Sequence, residues 1–282
     1  MTPSATRTVH MVRHHAAEPT SGPIVDELAV EEPLEMRVEG QSVAVTMRTP
    51  GHDLDLTTGF LLTEGVIDGF DDIRAMAHVD NPAAPKGNTV NTLLAAGVPA
   101  ARARSADRTF YASSSCGLCG KATIDRVVAT FDPLPPAPTL DLSMLYALPA
   151  RLRARQDTFD RTGGLHAAGL FQHDGTLLLI REDIGRHNAV DKVIGAATRA
   201  ELDLGSTLLV VSGRAGFEIV QKAVVARVPV LAAVGAPSSL AADLAHRAGM
   251  ILVGFLRPDR LNLYGAVEPT APETTPFPPQ PE

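Results

Sequence analysis

The sequence predicts an α/β protein: a three-layer α/β/α core preceded by a smaller N-terminal α+β part. Three observations support this. Beyond residue 165, short apolar runs such as TLLVVSG, VPVLAAVG and MILVGFL alternate with segments of helical length, which is typical of parallel strands covered by helices on both faces. Before residue 130, strand-like stretches alternate apolar and polar residues instead. A proline-rich segment, FDPLPPAPT, separates the two parts.

The elements of the first part follow from local signals. Residues 1–30 are polar and aperiodic, so we expect a flexible N-terminal arm. Residues 31–130 form the predicted α+β part, which includes the cysteine loop 113–120 and a helix-like segment directly after it. Its other predicted elements are a hairpin around Gly40-Gln41, a helix with Asp53 as its N-cap and a stop at Gly65, and strands near 73–79 and 88–95.

The second part begins after the connector at residues 131–141. Residues 142–266 form the predicted α/β/α core, and the proline-rich tail 267–282 is predicted to be disordered. Asp174-Gly175 lies between two apolar runs and predicts a hairpin. The predicted helices of this part cover residues 142–159, 188–202, 217–227 and 239–248.

Composition limits the function. The 282 residues are 45% apolar and 20% charged, with a net charge of −7, an ordinary balance for a globular protein. This acidic balance argues against general binding of nucleic acid. The start of the chain lacks the apolar run of a secretory signal, and no long uncharged apolar stretch predicts a membrane span. We therefore expect a cytoplasmic protein, whose thiols stay reduced.

The two cysteines lie close together in SSSCGLCGKATID, at Cys116 and Cys119. A structural disulfide does not fit the expected compartment. A structural zinc site would need four ligands, and the chain has no further cysteine. A zinc site of the deaminase type fails as well, because its motifs would be in the reverse order and HAA at 166–168 lacks the glutamate. We therefore expect no metal site.

Three explanations of the cysteine pair remain open from this loop alone. A thioredoxin-like dithiol would use a helix N-terminus to lower the pKa of the first thiol. A sulfur carrier would need an exposed, mobile thiolate, which Gly117, Gly120 and the cation of Lys121 would favour. Two incidental thiols are the third explanation.

Charged and glycine-rich segments follow several predicted strands of the core. They are REDIGRHNAVDKVIG, SGRAGFEIVQK, GAPSSLAADLA and GFLRPDRLNLY. Open α/β sheets place ligands at the carboxyl ends of their strands, and an aromatic ring with arginines suits a base with phosphates. These segments therefore predict a nucleotide-bearing ligand, although solvated helix starts and ordinary serine N-caps would explain several of the same residues. His166, Glu182, Arg186, His187 and Arg214 are candidates to line the pocket, with roles left open.

Taken in order, these segments resemble the formate dehydrogenase accessory sulfurtransferase family (FdhD). The resemblance extends from about Glu31 to Tyr264 and also includes LTTGFLLTEGVI, CGLCG and TGGLHAA. It implies a cytidine-deaminase-like α/β fold without the deaminase zinc, used as a homodimer.

The resemblance also implies a function. A sulfurtransferase of this family takes sulfur from a cysteine desulfurase. It passes the sulfur to the molybdenum (or tungsten) cofactor that carries two pterin guanine dinucleotides, Mo-bis(molybdopterin guanine dinucleotide), which formate dehydrogenase needs. Carried over by position, Cys116 is the persulfide-bearing nucleophile and Cys119 its partner. The implied cofactor-binding residues are Phe255, Leu256, Arg257, Pro258, Asp259 and Arg260.

Overall fold

The structure is a computed structural model that describes residues 4–16, 23–81, 87–100, 102, 134–136 and 139–265. Its strands are β1 (Thr6–Met11), β2 (Ile24–Ala29), β3 (Glu32–Val38), β4 (Gln41–Arg48), β5 (Ile73–His78), β6 (Thr89–Leu94), β7 (His166–Phe171), β8 (Leu177–Asp183), β9 (Leu208–Val211), β10 (Val230–Ala233), β11 (Ile251–Gly254) and β12 (Asn262–Gly265). Its helices are α1 (Asp53–Thr63), α2 (Leu142–Arg153), α3 (Asp157–Thr162), α4 (Arg186–Arg199), α5 (Phe217–Val225) and α6 (Ser239–Ala248).

A six-stranded sheet with the order β12-β11-β10-β9-β7-β8 forms the centre of the fold. The strands β9, β10 and β11 are parallel to one another, as the continuous apolar runs predict. The hairpin predicted at Asp174-Gly175 is confirmed as the β7–β8 pair. However, β7 pairs with β9 and β12 pairs with β11 in the antiparallel sense. The sheet is therefore mixed, with a parallel centre and antiparallel flanks.

Successive residues of the central strands point to opposite faces of the sheet, and both faces are buried. In β9, Leu208 and Val210 belong to one buried cluster, whereas Leu209 and Val211 belong to the other. The first cluster packs against α2, and the second packs against α4, α5 and α6. The α/β class and the helix–sheet–helix arrangement predicted from the sequence are thus confirmed, while the likeness to cytidine deaminase stays a prediction.

The N-terminal part contains a second sheet with the order β4-β3-β6-β5. The predicted hairpin is confirmed as the antiparallel β3–β4 pair, whose turn places Glu39 and Gly40 at positive φ. Helix α1 ends before Gly65, which has a φ of 72°, so the predicted stop is confirmed. The predicted N-cap is wrong: the N-cap is His52, and Asp53 is the first residue of the helix, where its carboxylate pairs with the buried Arg48. The buried face of this sheet and α1 belong to the same apolar cluster as α4, α5 and α6. The two parts therefore share one continuous core.

Helices α1 and α4 are in backbone contact where two glycines meet the facing helix. A Cβ atom added to Gly59 would lie 1.9 Å from the carbonyl oxygen of Asp191, and one added to Gly195 would lie 1.9 Å from that of Asp55. No side chain fits at such distances. The glycines thus set how closely the N-terminal part approaches the core.

Buried ion pairs surround this helix contact. Asp55 of α1 binds Arg181 of β8, with 2.8 Å between Oδ2 and Nη2, and also binds Arg199 of α4. Burial alone would raise the pKa of Asp55, but hydrogen bonds from His52, Arg181 and Arg199 lower it to about 2. Two turns before Arg199 on α4, Asp191 forms an ion pair with Lys222 of α5, with 3.0 Å between Oδ2 and Nζ. Charge pairing therefore holds the helices in a defined register.

Two predictions for individual segments are wrong. The described part of the arm at residues 1–30 forms an antiparallel ribbon, β1–β2, rather than an aperiodic chain. It is anchored by Arg161, whose Nη2 lies 2.6 Å from the Glu27 carboxylate, a contact between distant positions that no local pattern indicates. The single helix predicted at 142–159 is two helices. The second starts anew at Asp157 because the Glu182 carboxylate accepts the backbone amides of Thr158 and Phe159.

Several predictions fall outside the described residues: the cysteine loop 113–120, the helix after it, most of the connector and the tail 267–282. Within the part of the chain that the structure describes, no helix combines the length and apolarity needed to cross a membrane.

Replacing Gly195 with alanine should destabilise the protein. The added methyl group would collide with the backbone of α1, which cannot move aside as a flexible side chain could. Overpacking of this kind costs about 1–3 kcal/mol, more than the gain of about 1 kcal/mol in helix propensity. Urea denaturation measures the change in the free energy of unfolding.

The matched control is Gly69→Ala, because Gly69 has an extended backbone and a Cβ there meets nothing within 4 Å. A Gly195→Ala variant as stable as the Gly69→Ala variant would contradict the backbone contact.

Candidate functional site

The carboxyl edge of the central sheet brings together the motif-bearing segments. The parallel strands β9, β10 and β11 all end there. Because β7 is antiparallel to β9, its first residue, His166, lies at the same edge, directly opposite Asp183 at the end of β8. The gathering of these strand ends at one edge, expected from the sequence, is confirmed.

The loops that leave this edge are packed backbone against backbone. The Gly235 amide donates to the carbonyl of Gly213 at 2.8 Å, and the Phe255 amide donates to the carbonyl of Gly235 at 3.0 Å. A Cβ on Gly235 would lie 2.7 Å from the Gly213 carbonyl oxygen. Glycine at position 235 is therefore required for the loops after β9 and β10 to meet, and the edge is a rigid platform.

The segment 255–260 continues from β11 onto this platform. Phe255 has a φ of 53°, unusual for a residue other than glycine, and its side chain is 41% exposed. Arg257 donates from Nη1 to the carbonyl oxygens of Val234 and Leu256, at 2.6 and 2.9 Å, which leaves Nε and Nη2 for a ligand. Pro258, Asp259 and Arg260 are exposed.

Leu256 differs from its neighbours. Its side chain is fully buried in the cluster that packs against α2. Of the six residues implied by the family resemblance, it is the one whose side chain cannot face a ligand at this edge.

Most charges of REDIGRHNAVDK have structural partners. Asp183 is fully buried, and its carboxylate accepts hydrogen bonds from the backbone amides of Thr49 and Gly185 and from Asn188, and pairs with Lys192 at 2.7 Å. Burial lowers the pKa of Lys192, against the opposing effect of Asp183. The explanation of this segment as a solvated helix start is thus wrong, because these groups are internal.

Arg186 and His187 are the charged residues of this motif that remain at the edge. The imidazole of His187 pairs with the Glu218 carboxylate of α5, with 2.9 Å between Nε2 and Oε2. This hydrogen bond is the main reason that the pKa of Glu218 is lowered. The pair ties the start of α4 to the start of α5.

His166 and Arg214 complete the basic part of the edge. Arg214 is exposed. His166 is half-buried, and burial and the neighbouring positive charge of Arg186 lower its pKa. At neutral pH the imidazole is therefore uncharged and offers one donor and one acceptor.

Ser238, in the segment GAPSSLAADLA, is an ordinary cap, as the alternative explanation expects. The Ser238 hydroxyl oxygen accepts the amide of Ala241 at 3.2 Å and so caps α6.

Sequence reasoning missed Gln156 and Ser212. Both line a cavity beside His166, on the side of the sheet covered by α2. Gln156 follows an unremarkable run, Arg153-Ala154-Arg155, and no local signal marks it. Ser212 stands at the start of SGRAG, where its position after a strand is the only signal.

Cys116 and Cys119 lie outside the described residues. Among the residues that the structure describes, no cluster of three or more histidine, cysteine or acidic side chains has the arrangement of a metal site.

Replacing Arg186 with glutamine should raise the pKa of His166. The Arg186 cation disfavours the imidazolium form, so removing it makes protonation easier and moves the titration of His166 to higher pH. NMR titration of the His166 ring measures this shift. Arg7→Gln, on the exposed face of the β1–β2 ribbon, is the control, and an unchanged or lower pKa in the Arg186→Gln variant would contradict the arrangement.

Known proteins similar to this chain agree on one family. The family model described as the FdhD/NarQ family matches residues 29–270. Curated proteins named sulfur carrier protein FdhD are similar to it: one from Mycolicibacterium paratuberculosis is 51% identical over 85% of this chain and 90% of its own length, and one from Nocardia farcinica is 53% identical over 85% and 86%.

A similar protein from Anaeromyxobacter dehalogenans, also named sulfur carrier protein FdhD, is 47% identical over 86% of this chain and 88% of its own length. Among solved structures, a candidate formate dehydrogenase accessory protein from Desulfotalea psychrophila shares the fold, with a TM-score of 0.71 at 21% identity over 93% of this chain and 98% of that one. On the extent of the family match and on these identities, the chain belongs to the FdhD/NarQ family.

Proposed function

We propose that this protein is a sulfur carrier that takes persulfide sulfur from a cysteine desulfurase and delivers it to Mo-bis(molybdopterin guanine dinucleotide), the cofactor needed by formate dehydrogenase. Relatives of about 50% identity over most of the chain carry the name sulfur carrier protein FdhD, and this similarity supports the carrier role. The solved structure with the same fold is that of a candidate formate dehydrogenase accessory protein, which supports formate dehydrogenase as the enzyme that receives the cofactor.

The main observation in favour of this cofactor as the cargo is the basic carboxyl edge of the central sheet. Arg186, Arg214 and Arg260 lie in the segments that follow β8, β9 and β11, which end at this edge, and the aromatic side chain of Phe255 is exposed. A guanine dinucleotide needs cations for its phosphates and a flat apolar surface for its base. Both are present at this one edge of the sheet, where open α/β folds bind ligands.

The sulfur-transfer step is assigned to Cys116, with Cys119 as its partner in the loop. The Cys116 thiolate attacks the outer sulfur of the desulfurase persulfide, and the S–S bond to the donor cysteine breaks. The donor leaves as a thiolate, and Cys116 becomes a persulfide, so the exchange involves no net oxidation. The cofactor would then take up the outer sulfur as sulfide: the S–S bond of the Cys116 persulfide would break, the reduced metal of the cofactor would supply the two electrons, and Cys116 would return to a thiolate. We further propose that the protein acts in the cytoplasm as a homodimer.

Replacing Cys116 with alanine should abolish activation of formate dehydrogenase while leaving the fold and the binding of guanine nucleotide unchanged, because the reacting thiolate is lost and the described core is untouched. Activity of the co-expressed enzyme, thermal denaturation and calorimetric titration with GDP measure the three quantities. Full activation by the Cys116→Ala variant would show that Cys116 is not the carrier.

A second experiment, mass spectrometry of the wild-type protein, distinguishes a sulfur carrier from a dithiol redox protein. After incubation with a desulfurase and cysteine, mass spectrometry of the wild-type protein should show a gain of one sulfur atom on the Cys116 peptide. A loss of two hydrogens without any gain of sulfur would instead indicate a thioredoxin-like disulfide and contradict the proposal.

Replacing Arg260 with glutamine should weaken the binding of GDP by about tenfold, the loss expected for one charge-assisted hydrogen bond to a phosphate. Calorimetric titration at fixed ionic strength measures the affinity, with Arg7→Gln as a control that removes the same charge from the exposed ribbon. Equal affinities of the two variants would remove Arg260 from the nucleotide site.

A further inference from the structure

A cavity of about 410 Å³ lies at the opposite end of α4 from the carboxyl edge. It is formed where α1, α4 and α5 end, together with two short 3₁₀ turns, Phe70–Asp72 and Leu204–Ser206. Helix α4 has 14 residues and is therefore about 21 Å long. The cavity is thus separate from the edge at which the cofactor is proposed to bind.

The inner surface of this cavity is apolar. It includes the buried side chain of Leu62 and the half-buried side chains of Phe70 and Leu204. Leu202, which also lines the cavity, is 36% exposed. Neighbouring apolar side chains that remain accessible within a polar surround mark surfaces at which proteins bind.

The residues around this apolar surface are mainly acidic. Asp68, Asp71, Glu201 and Asp203 line the cavity and are exposed, and Arg227 is the one lysine or arginine among the described lining residues. Asp68 and Asp203 have hydrogen-bond partners. Within the part of the chain that the structure describes, the carboxylates of Asp71 and Glu201 have none. An acidic surface of this kind is complementary to a basic partner.

The segment that carries both cysteines, residues 103–133, is joined to the described structure beside this cavity. Before it, Arg102 pairs with the cavity residue Asp68, with 2.7 Å between Nη1 and Oδ2. After it, Pro135 contacts one of the 3₁₀ turns of the cavity, because a Cβ added to Gly205 would lie 3.3 Å from the Pro135 Cγ. Both ends of the cysteine segment are therefore attached at the walls of one cavity.

We infer that this cavity is the docking surface for the sulfur donor, and that a basic segment of the cysteine desulfurase places an apolar side chain in it. The inference rests on the proposed function and deepens it, because it names the surface at which the proposed donor binds. The acidic residues attract the basic segment, and the apolar lining takes its side chain. The donor is then held beside the ends of the segment that carries Cys116.

Docking at this cavity leaves the carboxyl edge open for the cofactor. Cys116 follows Arg102 by 14 residues, and an extended chain of that length spans at most about 50 Å. The carboxyl edge is one length of α4 away, about 21 Å. The chain is therefore long enough for Cys116 to meet a donor at the cavity and a cofactor at the edge, while neither blocks the other.

The test compares the sulfur loading of the full-length protein from two donors. One is the cysteine desulfurase of the same organism with cysteine, and the other is sodium tetrasulfide, which is too small to need a docking surface. The double variant Asp71→Lys/Glu201→Lys reverses the two unpaired carboxylates. We expect it to raise the KM of the desulfurase for this protein by about tenfold or more, since charge steering changes association rates by about 10–1,000-fold. Loading from tetrasulfide should stay unchanged.

Two further measurements separate the charge from the apolar surface. Raising the salt concentration should raise the KM of the wild-type protein and have less effect on the double variant, because salt screens exposed charges. Leu202→Ala removes an exposed apolar side chain and should raise the KM at every salt concentration. Mass spectrometry of the Cys116 peptide measures the rate of loading in each case. Leu202→Ala, the smaller change, is decisive if the double variant does not fold.

Glu31→Lys is the matched control, since it makes the same change of charge at an exposed position before β3 and should keep the wild-type KM. Thermal denaturation and size-exclusion chromatography check the fold and the oligomeric state. A wild-type KM in the folded variants would overturn the inference. Slower loading from tetrasulfide would assign the cavity to the cysteine segment itself, and a changed oligomeric state would assign it to a second copy of the chain, and both results would contradict the inference. If the wild-type protein accepted no sulfur from the desulfurase, the proposed function itself would fail.

Discussion

The close approach of α1 and α4 is the constraint on which the rest of the structure depends. Gly59 and Gly195 allow the two helix backbones to touch, and the ion pair of Asp55 with Arg199 and the hydrogen bond from the Thr63 hydroxyl to Asp191 join the two helices in one register. Buried charges without partners are costly, so this register is favoured over its alternatives. The N-terminal α+β part is in this way joined to the central sheet through one core.

The close approach of α1 and α4 also affects the carboxyl edge, because α4 begins at that edge. Asp183 ends β8, and its bonds to Lys192 and Asn188 hold the turn that begins α4. Arg186 and His187 follow directly, so their backbone positions are fixed by groups that face the interior. The adjoining loops after β9, β10 and β11 are held by backbone hydrogen bonds at glycines. A rigid edge of this kind binds a large ligand without first having to order its own loops.

The sequence by itself determined the α/β class, the two hairpins, the C-terminal limit of α1 and the gathering of strand ends at one edge, because each depends on local periodicity, turn residues or the geometry of parallel strands. The family was also recognisable from the order of its motifs. Only the tertiary structure decided which charges have buried partners: Asp183 and Lys192 pair in the interior, whereas Arg186 remains at the edge. It alone revealed the pairing of β1 with β2. The physical reason is that burial and pairing depend on residues far apart in the chain, which a local pattern does not contain.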